Sequence, residues 1–271
     1  MQMTLAMLAP LLLGILSGTL LGLTGAGGAI IAVPLLIFGL GLPMVAAAPV
    51  ALLATAIGAG TGALLGLRRG ILRYKAAMVM SACGLLLSPL GLWAARYLPN
   101  QPLMLLFALV LFYVSITMYL RAKQAPGAVS DSVLGPPCLL DQTRGKLTWT
   151  LPCFRAMLAA GGIAGLLSGL LGVGGGFVIV PALKKVTDLP MRSIVATSMG
   201  VIAIVSIGSV LGATLEGTLH WAIGVPFATG AFGGMLLGRF ISHRLDHHVL
   251  QRIFAVFAFL VACAMLLKAL W

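Results

Sequence analysis

Charge is what this sequence has least of: 8% of its 271 residues are Asp, Glu, Lys or Arg, against 61% hydrophobic ones. A water-soluble domain of that composition lacks the polar surface to cover itself, so the chain reads as an integral membrane protein. Acidic residues are scarcest, with five Asp and Glu in all. No charged side chain of either sign lies well inside an apolar segment. Intramembrane carboxylates mark proton relays and cation paths, and their scarcity disfavours both. No charge precedes Arg68, so the basic n-region of a secretory signal is missing and Met3 to Leu23 reads as a retained membrane segment. No ten-residue alternation suggests a barrel. Cys83, Cys138, Cys153 and Cys263 have no CxxC spacing and no nearby histidine partner, which indicates neither a metal site nor a redox pair and leaves buried or idle thiols as the expectation.

Enzyme signatures are missing as well. The glycine clusters are not followed by Lys-Ser/Thr, which excludes a P-loop, and no acidic residue follows at the spacing of a dinucleotide fold. No Ser–His or Cys–His pair suits membrane depth. Neither a catalytic residue nor a cofactor is expected.

What the sequence does have is a repeated glycine stretch. Gly22, Gly25, Gly27, Gly28, Val33 and Pro34 match Gly169, Gly172, Gly174, Gly175, Val180 and Pro181 at a constant offset of 147 residues. The register continues without a gap: Pro43 meets Pro190, Gly70 meets Gly217, Gly91 meets Gly238, and Phe107 meets Phe254. This is an internal duplication, a recurrent design in transporters. Between the copies the chain turns rich in Pro, Gly, Ser and charge. The expected organisation is a first membrane repeat over 1–124, a cytoplasmic linker over 125–155 and a second membrane repeat over 156–271.

Basic residues give the orientation. Fifteen of the seventeen fall in four clusters that short-loop charge bias places in the cytoplasm, leaving Arg96 and Lys268 outside. The net charge of +12 therefore reflects topology, not nucleic acid. The clusters occupy different loops in the two copies, so the copies point in opposite directions as an inverted repeat. The expected fold is an all-α polytopic membrane protein of two inverted repeats. Each has a glycine-broken first hairpin and three further transmembrane helices, for about eight to ten membrane segments. Parity puts both termini outside and makes each broken hairpin go in and come back.

The candidate site follows from those breaks. At Gly25, Gly27 and Gly28, and at Gly172, Gly174, Gly175 and Gly176, glycine permits a turn between half-helices and lets the backbone approach a ligand. The arm that follows each turn aims free N–H groups and a positive dipole end at that ligand, which suits an anion. Pro34 and Pro181 free a carbonyl and bend the short arms, as helix breaks or gates. Among the hydroxyls of Thr24, Thr55, Thr61, Ser168, Thr197 and Ser198, the pair Thr197 and Ser198 is the preferred source of side-chain contacts. Gly14, Gly18 and Gly22, like Gly161, Gly165 and Gly169, recur every four residues and suit close helix packing. The histidines at helix ends read as interfacial, with no metal site.

The paired Gly-x-Gly-Gly…Val-Pro stretches and the duplicated architecture resemble the sulfite exporter TauE/SafE family over almost the whole chain outside the linker. The resemblance implies a bacterial inner-membrane permease for small sulfur-containing anions such as sulfite, thiosulfate or organosulfonates. Thr197-Ser198-Met199 is similar to the family's Thr-Ser-Leu pattern, whereas the first copy has Val50-Ala51-Leu52. The expected partners are the bilayer and a small anionic substrate, with a homodimer left open and no nucleic acid. A secondary transporter is the leading reading; an anion channel and a structural membrane protein are the alternatives from other classes.

Overall fold

The computed structural model describes residues 2–24, 29–123, 138, 140–141, 146–147, 150–242 and 247–270. Among the described residues ten helices carry the fold: α1 (Gln2–Thr24), α2 (Ala29–Gly39), α3 (Met44–Arg68), α4 (Tyr74–Tyr97), α5 (Asn100–Lys123), α6 (Leu151–Leu171), α7 (Gly176–Val186), α8 (Met191–Leu215), α9 (Trp221–Ser242) and α10 (His247–Leu270). Seven of them, α1, α3, α4, α5, α6, α8 and α9, are long and apolar enough among the described residues to cross a membrane. A two-residue ladder, Leu140–Asp141 against Lys146–Leu147, lies in the linker. The chain is an all-α polytopic membrane protein. Its outward faces carry side chains such as Leu86, Phe240 and Leu215 at 77%, 74% and 89% exposure, which hydrocarbon rather than water would solvate.

Local structure repeats with the sequence. α3 and α8 both follow an extended proline, Pro43 (φ −65°, ψ 154°) and Pro190 (φ −62°, ψ 144°). Pro fits there because its missing N–H is one that a first turn leaves unpaired anyway. Both helices end in a left-handed glycine, Gly70 (φ 67°) and Gly217 (φ 68°), with the next residue's N–H reaching back to Gly66 O (3.1 Å) and Ala213 O (3.0 Å). That back-bonding is the Schellman stop, which requires positive φ at the glycine. α2 and α7, the arms after the glycine breaks, each have eleven residues. At 1.5 Å per residue such an arm is about 16 Å long, half a bilayer core.

The large helix interfaces join one half of the chain to the other: α1 with α9, α4 with α6, α3 with α8, and α5 with α10. Glycine makes two of them close. A Cβ at Gly14, Gly18 or Gly22 would overlap backbone at Phe227, Ala231 or Met235. The same offset maps these onto Gly161, Gly165 and Gly169, whose Cβ would overlap backbone at Met80, Gly84 and Ser88. Close backbone approach of this kind is how helices associate where lipid removes the hydrophobic drive.

The paired contacts also fix helix directions. α1 and α9 run parallel, as do α4 and α6. In α4 and α8, Ser88 Oγ lies 2.5 Å from Ser209 Oγ while Gly84 meets Val205, so these two are parallel too. Gly62 packs on Met199 and Gly66 on Ala196, while Thr55 meets Ser206, so α3 and α8 are antiparallel. Ser115 donates to Ala255 O (2.7 Å) while Phe112 stacks on Phe259, making α5 and α10 antiparallel.

Two expectations change. Cys138 and Cys153 are buried as expected but are not thiols: they are joined in a disulfide across 15 residues, because the fold brings Cys138 to the start of α6; Cys83 and Cys263 are free thiols. α6 begins at Leu151, inside the stretch read as linker, because Thr150 Oγ1 caps it by accepting from Cys153 N (3.3 Å) and Pro152 fits the first turn.

Candidate functional site

Three left-handed glycines within four residues shape the second break. Gly172 (φ 73°) stops α6, its N–H donating to Ser168 O at 2.9 Å, and Gly174 and Gly175 (both φ 69°) turn the chain into α7. An L side chain with a Cβ is strained at such φ, which is why the motif is so glycine-dense. Two of the three are also wedged against backbone: a Cβ at Gly172 would overlap Ala48, and one at Gly175 would meet Ala164 O at 2.5 Å. Gly174 differs. Its Cβ would look onto side chains, with Ile202 Cγ2 at 3.0 Å, Ser206 Oγ at 3.1 Å and Thr55 Oγ1 at 3.5 Å.

The turn therefore sits against the crossing of α3 and α8, where Thr55 Oγ1 and Ser206 Oγ lie 3.3 Å apart. Thr55 is near the middle of α3 and also reaches Leu52 O at 3.0 Å. Both hydroxyls are buried, at 2% and 0% exposure. Val178 N and Ile179 N donate to Gly175 O at 3.0 and 3.2 Å, so the bonding of α7 starts there. The N–H groups of Gly176 and Phe177, ahead of that first bond, point with the positive end of the helix dipole toward the turn.

Ser168 adds a second kind of evidence. Its hydroxyl is fully buried and has no hydrogen-bond partner among the described residues. It lies one helical turn past Ala164, the residue abutting Gly175, and so shares the face of α6 that the glycine turn covers. A buried hydroxyl left unpaired costs about 1–3 kcal/mol. A ligand at the turn would remove that cost.

Other expected residues fall elsewhere. Gly25, Gly27 and Gly28 lie outside the described residues. Thr197 Oγ1 accepts from Arg73 N (3.1 Å), holding the connection between α3 and α4, and Ser198 donates to Ile194 O (2.7 Å). At 1.5 Å per residue they lie about 12–14 Å back along α8 from Ser206, toward the basic end of the bundle. Thr24 bonds to Leu20 O, and Thr61 to Gly58 O and Met235 Sδ. Pro34 and Pro181 are inside α2 and α7. Each removes a helical donor, leaving the carbonyls of Ile30 and Phe177 without their intrahelical bond.

Ser206 was not foreseen. The signal was present: it lies one helical turn after Ile202, which the repeat offset aligns with Thr55, as a hydroxyl in the middle of an apolar segment. On another side of α3 and α8 an apolar groove of about 480 Å³ is lined by Leu53, Ile57, Leu64, Ile207 and Leu211 among others. Such a lining offers an anion almost no partner, and the groove is not a candidate site. Among the described residues no His, Cys, Asp and Glu cluster could hold a metal ion.

The family model described as sulfite exporter TauE/SafE matches residues 10–265. The chain belongs to the sulfite exporter TauE/SafE family. A probable membrane transporter protein of Xylella fastidiosa (strain Temecula1) is 28% identical over 253 residues, covering 92% of this chain and 90% of its own. A probable membrane transporter protein of Bacillus subtilis, YunE, is 24% identical over 272 residues, covering 96% and 97%. No solved structure matches the chain significantly. Family and relatives make this chain a membrane transporter.

Proposed function

We propose that this TauE/SafE-family transporter is a secondary permease of the bacterial inner membrane that moves a small sulfur-containing anion such as sulfite or an organosulfonate. The anion binds at the turn formed by Gly172, Gly174, Gly175 and Gly176, with Gly25, Gly27 and Gly28 as the counterpart turn. One observation carries this reading: neutral polar groups gather around the second turn, with the N-terminus of α7 starting from it, the Thr55–Ser206 hydroxyls against Gly174 and the buried Ser168 one helical turn from Ala164, which abuts Gly175. Dipoles and hydroxyls without a fixed cation bind an anion well enough to hold it and weakly enough to release it.

We infer further that the halves are inverted copies. The antiparallel pairing of the equivalent helices α3 and α8, and of α5 and α10, supports it. The basic clusters then lie at one end, which charge bias assigns to the cytoplasm. Because the main interfaces cross between halves, the moving units are not the sequence halves themselves. The parallel sets α1, α3, α9 and α4, α6, α8 are each bound internally by glycine contacts, and they meet along the α3–α8 crossing beside the turn. Motion along that crossing would open and close the site.

Counterflow in proteoliposomes tests the proposal. Vesicles preloaded with unlabelled sulfite or sulfoacetate should transiently accumulate the labelled anion above equilibrium, and taurine or a simple carboxylate should not drive it. Equal rates for all these solutes would sink the substrate assignment. Conductance without counterflow would replace the permease by an anion channel.

A further inference from the structure

The disulfide lies where the two arms of the second hairpin open. Cys153 is in the first turn of α6, and Cys138 belongs to the linker. Cys138 N donates to Val186 O (3.1 Å) and pairs with Thr187 in a parallel bridge. Thr187 closes the last turn of α7 by donating its N–H and Oγ1 to Leu183 O at 2.9 and 2.7 Å. One covalent bond thus ties the start of α6 to the backbone that holds the end of α7. The glycine turn joins the same two helices at their other ends, so the α6–α7 hairpin is fastened at both extremities.

We propose that Cys138 and Cys153 are a thiol–disulfide switch that clamps the open end of this hairpin. The placement rests on the topology inferred above: Lys184, Lys185 and Arg155 flank the clamp, and the basic end of the bundle faces the cytoplasm. Reductants there hold cysteine pairs as thiols, so a pair at that face is oxidised on demand rather than permanently. Oxidation joins the two sulfurs and passes two electrons and two protons to a disulfide or diazene oxidant; a dithiol reverses it by two successive exchanges. Both cysteines are fully buried, so exchange waits until Cys138 leaves Val186 and Thr187. Redox state and arm position are therefore coupled: the bond favours the fastened arm, and reduction captures the released one.

Two measurements test this without using transport, so they fail independently of the substrate assignment. In the first, cells are quenched in acid and alkylated. Both thiols should be free in untreated cells and joined after a membrane-permeant diazene oxidant. A bond already complete in untreated cells would overturn the switch and make the bond a permanent crosslink, and its cleavage by an impermeant reductant added outside would place the basic end outside. In the second, hydrogen exchange is followed on the purified protein in nanodiscs. Amides from Leu183 to Asp188 should exchange at least tenfold faster after reduction, and equally fast without reduction in Cys138→Ser and in Cys153→Ser, each checked for monodispersity. Protection unchanged by reduction would show that the bond clamps nothing.

Discussion

Gly174→Ala separates the site from the scaffold more cleanly than any other change in the turn. At Gly172 and Gly175 an added methyl runs into backbone, which cannot yield, and the helix packing itself would be lost. At Gly174 it meets side-chain atoms at 3.0, 3.1 and 3.5 Å, distances that shifts of a few tenths of an ångström relieve. The φ of 69° remains, and a left-handed alanine costs about 1–2 kcal/mol. Crowding against Ile202 and Ser206 adds about 1 kcal/mol, the low end for an extra methyl in a packed interior. A total of about 2–3 kcal/mol is survivable for a fold. If about 2 kcal/mol of it falls on the turn geometry that binds the anion, affinity drops roughly thirtyfold. The assay is sulfite or sulfoacetate counterflow with protein shown monodisperse by size-exclusion chromatography. Gly174→Ala/Ser206→Ala should recover thermal stability over Gly174→Ala, because removing Ser206 Oγ opens the space, yet stay impaired in transport for want of a donor. Well-folded Gly174→Ala with unchanged counterflow would refute the assignment of this turn to the substrate.

Ser168 and Ser81, whose hydroxyls have no partner among the described residues, make a matched comparison: Ser168→Ala and Ser81→Ala should each hold or raise the thermal midpoint, since an unsatisfied buried hydroxyl is removed. Anion affinity should fall about tenfold in the first and stay constant in the second, as ligand-dependent shifts of that midpoint will read out. Gly165→Ala should give little folded protein, because its Cβ would overlap Gly84 backbone, whereas Gly60→Ala, with nothing within 4 Å, should be neutral or stabilising by up to about 1 kcal/mol in chemical denaturation. A crosslink between Ser88→Cys and Ser209→Cys joins α4 to α8 within one proposed moving unit, and it should leave counterflow intact; arrest that reduction reverses would show the unit to be divided wrongly.

Much of this protein was written in its sequence. The apolar composition and the long uncharged stretches determined an all-α polytopic membrane protein, because hydrophobic length acts locally along the chain. Pro43 and Pro190, or Gly70 and Gly217, set helix starts and stops through their own φ, and matching residues gave matching geometry. What the tertiary structure decided were the meetings between distant residues. Thr197 and Ser198 looked like ligand groups by pattern, but a helix puts a position on a face and at a depth, and theirs are turned to Arg73 and Ile194. Ser206 joins the candidate site because α8 crosses α3 antiparallel and sets it beside Thr55. Cys138 found Cys153 because the fold sets Cys138 against the end of α7, a meeting that no spacing rule encodes. Gly14 to Gly22 announced close packing by their period of four, and only the fold revealed the partner as α9 from the other half.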